Sequence, residues 1–182
     1  MGVSQENAPR IRGRIRAGTD AKGRKEMECF QVVEWGEGIE TAIRRGLGRR
    51  GGVTGPCIAG EHPALLVVSP RAARLERPLP PACRTLLLPG EAVRLPGGLR
   101  AASAVSYGPS PRDSLTISSR ERDRLWAALQ RDVVTVDGRV VERQEFSVPL
   151  EGGEDLMPAL AAVGALVLLG VPPEELEHFL IS

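Results

Sequence analysis

Ala64-Leu65-Leu66-Val67-Val68 is an unbroken apolar run entered through His62-Pro63. A strand with one wet face alternates polar and apolar residues. A continuous run marks a strand covered on both faces, as in a parallel sheet flanked by helices. Thr85-Leu86-Leu87-Leu88 repeats the pattern and is stopped by Pro89-Gly90. These two segments predict an α/β fold: a small parallel or mixed sheet flanked by helices.

Working outward, Cys29 to Trp35 forms a β-like run through Phe30, Val32 and Val33. Glu37 to Leu47 places Ile39, Ile43 and Leu47 at helical spacing. Arg71 to Leu75 is long enough for one helical turn. Ala104-Val105-Ser106-Tyr107 is a third strand, and Ser114 to Ser118 alternates with the strand period. Ser118-Ser119-Arg120-Glu121 fits a capping box that Leu125 to Leu129 continues as a helix. Strand is favoured for Leu125 to Gln130, because the next segment needs a neighbour. That segment is a hairpin, with Asp137-Gly138 between Val133-Val134-Thr135-Val136 and Arg139-Val140-Val141. Gln144 to Leu150 continues as strand. Asp155 is the expected N-cap and Pro158 the first residue of a helix that stops at Gly170. Pro173 opens a second C-terminal helix reaching Leu180.

The chain has 182 residues, 42% of them hydrophobic and only 3% aromatic, so its core is built from Leu, Val, Ala and Ile. Residues 1–26 form a basic, Gly-dotted tail with few large apolar side chains, and disorder is expected there. Residues 27–182 form a single α/β domain. A net charge of +1 argues against a nucleic-acid or anionic-membrane partner for the molecule as a whole. The alternative is an arm, residues 1–26, that orders on an acidic partner. No signal peptide and no membrane span are expected. Cys29, Cys57 and Cys83 are widely spaced with no C-x-x-C pair. The spacing points to buried thiols in a reducing cytoplasm rather than to zinc or a disulfide.

Val105-Ser106-Tyr107-Gly108 is followed by the hairpin, by Gly152-Gly153-Glu154-Asp155-Leu156-Met157-Pro158-Ala159-Leu160-Ala161-Ala162, and by Leu169-Gly170-Val171-Pro172-Pro173-Glu174-Glu175-Leu176. This order and spacing, over about residues 103–180, resembles the end of the Mur ligase central domain. Those enzymes join an amino acid or peptide to a carboxylate using ATP. The resemblance implies a ligase framework, but the polar residues depart from it. Glu154 stands where the family has His, Asp155 where it has Asn, and Pro158 where it has a second Asn. In the family these positions face the nucleotide. Two carboxylates repel a triphosphate, and Pro158 donates no hydrogen bond. No G-x-x-x-x-G-K-[ST] loop occurs in the chain, so the β- and γ-phosphates lack their usual grip.

Other chemistry is sparse. Gly46-Leu47-Gly48-Arg49-Arg50-Gly51 matches G-x-G-x-x-G, but a helix precedes it instead of a strand, which makes it a flexible loop. Ser106, Ser110, Ser114, Ser118 and Ser119 surround Asp113, with His62 and His178 remote in sequence. Glu142, Glu145, Glu151, Glu154 and Asp155 gather near the hairpin, where a solvated acidic rim is favoured over the alternative of a divalent-metal site. No cofactor and no metal are expected.

Two functions remain open. One is a non-catalytic domain that binds a partner protein or small ligand through Tyr107, Gly108, Arg112, Asp113 and Ser114. These residues lie at the C-terminal ends of the strands, where open α/β sheets hold ligands. The other is an enzyme with its site near residues 106–119. It would be a partial ligase completed by another chain, or an unrelated hydrolase or transferase.

Overall fold

The structure, a computed structural model, describes residues 29–48, 62–75, 78–92, 98–150 and 155–178. The basic tail, Cys57, most of the Gly-Arg loop, and Glu151 to Glu154 lie outside the described residues.

The elements run β1 (Phe30–Val33), α1 (Ile39–Gly48), β2 (Leu65–Val68), α2 (Pro70–Arg74), β3 (Ala82–Pro89) and β4 (Arg100–Gly108). They continue as β5 (Leu115–Arg120), β6 (Arg124–Leu129), β7 (Val133–Val134), β8 (Val140–Val141), β9 (Glu145–Pro149), α3 (Leu156–Leu168) and α4 (Pro173–Leu176). Among the described residues one seven-stranded sheet has the order β1-β2-β3-β4-β5-β6-β9. β1 to β5 are mutually parallel, while β6 and β9 join antiparallel. β7 and β8 pair apart as a small hairpin. The α/β class, the hairpin excursion and the strand at 125–130 are as expected.

Alternate residues of β2 point to opposite faces. Leu65 and Val67 enter the main core, and Leu66 and Val68 enter a second, smaller one with Ala72, Cys83 and Leu86. α1 and α3 pack on the main face. α3 is buried without interruption from Ala159 to Leu168, which explains why it shows no polar stripe. Gly164 is what lets it lie flat. A Cβ there would stand 2.9 Å from Leu115 Cδ2 and 3.2 Å from Leu87 Cδ2. α2 covers the opposite face through Ala72.

Four local expectations are corrected. α1 begins at Ile39 rather than Glu37, because Gly36 and Gly38 take positive φ values of 67° and 75°, a region open mainly to glycine. α3 begins at Leu156, so Pro158 is its third residue. The missing N–H still costs nothing, since the first turn has no carbonyl to receive it. α4 is a single turn ending at Leu176, and residues 179–182 lie outside the described residues. Cys29 is disulfide-bonded while Cys83 is free and buried. Three cysteines far apart in sequence carry no pairing signal, so the fold alone sets which one is linked. Among the described residues no helix is long and apolar enough to cross a membrane.

Candidate functional site

The C-terminal ends of β1 to β4 share one edge of the sheet, and the turns that leave it carry the polar groups. β1 ends in Glu34-Trp35-Gly36-Glu37-Gly38. The positive φ at both glycines folds this turn back on itself. Glu34 then caps the helix that follows. Ile39 N donates to Glu34 Oε2 at 2.8 Å, and Glu40 N donates to Glu34 Oε1 at 3.2 Å. The N-terminus of a helix carries partial positive charge and unsatisfied N–H groups, so it is a ready seat for an anion. In α1 the seat is taken by a carboxylate of the same chain.

Glu37 ties this turn to the end of β2. Its carboxylate accepts from the Ser69 hydroxyl, from Arg71 N at 3.2 Å and from Trp35 N at 3.3 Å. Ser69 is fully buried, and its Oγ accepts from Ala72 N at 3.0 Å as the N-cap of α2. Asp155 does the same for α3, accepting from Met157 N at 3.2 Å. The starts of α1, α2 and α3 therefore each have a side-chain acceptor from the same chain.

The residues anticipated as binding groups lie at the same edge, mostly inside it. Tyr107 is fully buried, and its hydroxyl donates to the Val68 carbonyl at 2.8 Å. Burial pushes its pKa well above the ordinary phenol value, and Glu37 and Glu91 add to the rise. Asp113 is buried over two glycines. A Cβ on Gly90 would stand 1.6 Å from Asp113 Oδ1, and one on Gly108 would stand 2.5 Å from Oδ2. Asp113 N donates to Ser110 O at 2.9 Å, and Ser110 N returns a longer bond to Asp113 Oδ2 at 3.3 Å. Ser114 is buried, with its N–H on Ser106 Oγ at 3.1 Å. Arg112 is exposed, and its carbonyl accepts from Arg131 Nη2 at 2.7 Å. The structure thus brings Tyr107, Gly108, Asp113 and Ser114 together as a packed floor and leaves Arg112 on the surface.

Sequence reasoning overlooked Glu34, Glu37, Ser69 and Glu91. A signal was present: two glutamates around two glycines, after a strand and before an amphipathic helix, the place of a phosphate loop in many α/β folds. Around this floor the edge is acidic. Arg74 pairs with Glu91 at 2.9 Å. That hydrogen bond is the main cause of its raised pKa, and the charges of Asp155 and Glu37 contribute. His62 lies before β2, at the opposite end of the strands from Asp113, so no Ser-His-Asp constellation forms with it. Among the described residues no group of three or more His, Cys, Asp or Glu is arranged to hold a metal ion.

No family model matches this chain, and no curated protein is significantly similar to it.

Proposed function

We propose that this chain is a non-catalytic α/β domain, on a scaffold that resembles the Mur ligase central domain, and that it binds a partner protein or small ligand at this strand-end edge. One observation carries the reading. The turn after β1, where a nucleotide-driven ligase would seat phosphate, is filled by Glu34 bonded to Ile39 N and Glu40 N. Two further features support it. The sequence has no G-x-x-x-x-G-K-[ST] loop. The element order β4, antiparallel excursion, α3, α4 accompanies the motif order Tyr107-Gly108, Ala159 to Ala162, Leu169-Gly170-Val171. Glu37, Glu91, Asp113 and Asp155 around this edge disfavour an anionic ligand and favour one that brings positive charge.

The test is a thermal-shift and calorimetric titration against nucleotides and cell-wall precursors, with and without magnesium. Nucleoside triphosphates are expected to leave the melting temperature unchanged, because only a ligand bound to the native state raises it. ATP hydrolysis or ATP-driven ligation at an enzymatic rate overturns the reading.

A further inference from the structure

β4 lies inside the sheet order, yet its first half is bare. Arg100, Ala101, Ala102, Ser103 and Ala104 are all exposed, and burial begins only at Val105. The cause is topological. β3 pairs with β4 from Arg100 to Tyr107, whereas β5 meets it only at Tyr107 and Gly108. From Arg100 to Ser106, no described strand lies on the β5 side of β4. A strand edge of this kind presents backbone N–H and C=O groups as a template for another strand. Proteins usually guard such edges with charge, proline or a bulge. From Ala101 to Ser106 the sequence contains no charged residue and no proline.

We propose that this free edge of β4 pairs, antiparallel, with the same edge of a second copy of the chain. A two-fold axis through Ala102 would set Ala102 against its own mate, Ala101 against Ser103, and Arg100 against Ala104, each opposed pair lying on one face of the sheet. Small side chains then meet small side chains on both faces, so the backbones can approach to ladder distance. The charge pattern fits a second copy. Each Arg100 falls at the opposite end of the pairing, about 14 Å from its mate at roughly 3.4 Å per residue. That exceeds the Debye length of about 8 Å at physiological salt. A two-fold isologous contact is also the commonest way for identical chains to assemble. The inference is independent of any ligand at the opposite end of the strands.

Light scattering and sedimentation of the full chain are expected to give twice the 19.5 kDa mass of one chain. The amides within 100–104 that point away from β3 are expected to be protected from hydrogen exchange, with protection falling on dilution. The double substitution Ala101→Glu with Ser103→Glu, on exposed positions, is expected to give a folded monomer by circular dichroism. Val134→Ser with Val140→Ser, on the exposed hairpin valines, is expected to leave the dimer intact. Should the charged variant fail to fold, exchange in the unmodified protein still decides. A monomeric wild type, outward-pointing amides within 100–104 that exchange at the solvent rate or keep their protection on dilution, or a dimer that survives the two glutamates each overturns the proposal.

Discussion

Replacing Glu34 with alanine takes both carboxylate acceptors away from the first turn of α1. Ile39 N and Glu40 N lose bonds of 2.8 Å and 3.2 Å. Ile39 itself is 1% exposed, so water reaches its N–H poorly. Loss of a helix cap costs about 1 kcal/mol. Loss of a negative charge at the helix start adds about 0.3–1 kcal/mol. The expected sum is about 1.5–2 kcal/mol, or a fall of roughly 3–8 °C in melting temperature for a chain of this size. Glu34→Gln, which keeps one acceptor oxygen, should lose about half as much. A second readout separates capping from general damage. The vacated helix start is an anion seat, so sulfate should stabilise Glu34→Ala more than the wild type. At a concentration ten times its dissociation constant the gain is about 1.4 kcal/mol. Calorimetric scans of the three proteins, with sulfate and with chloride at equal ionic strength, make the comparison. A loss in Glu34→Ala below about 0.5 kcal/mol, or an equal sulfate response in wild type and variant, refutes the reasoning.

Gly90→Ala places a methyl 1.6 Å from Asp113 Oδ1, and urea titration should show a loss of about 1–3 kcal/mol. Asp113→Gly in the same chain should recover part of it, giving a non-additive cycle. Tyr107 is the only tyrosine, and its folded pKa is raised. Above pH about 10 the unfolded phenol ionises while the folded one keeps its proton, so stability falls as pH rises. Urea midpoints across that range should show this fall in the wild type, and Tyr107→Phe should lack the tyrosine part of it. Burial pushes the Cys83 thiol up to about 11. Alkylation at neutral pH should therefore be slow in the folded protein and speed up once urea unfolds it.

Signals that act over a few residues were legible. Asp137-Gly138 makes its turn with Gly138 at φ 87°. Leu125, Ala127 and Leu129 alternate inward along β6, which settles strand over helix there. Asp155 caps α3 from within two residues. The candidate site was legible only as a region. In the sequence Asp113 stands out as a candidate binding group, whereas in the fold it closes a turn onto Ser110. Its burial over Gly90 and Gly108 depends on two strands being neighbours, which no local pattern records. Glu37 reaching Ser69 and Arg71 spans more than thirty residues of chain, and the Cys29 disulfide is equally invisible to spacing.

The α/β class, the buried strands and the absence of a lysine-bearing phosphate loop follow from residue order alone, because periodicity and turn chemistry are properties of neighbours in the chain. The filling of the strand ends by Glu34, Glu37 and Asp113, and the bare half of β4, follow from strand order and from where β5 leaves the sheet. Those depend on which distant segments share a register. Such pairings are chosen by the packing of the whole core, so no single segment carries them.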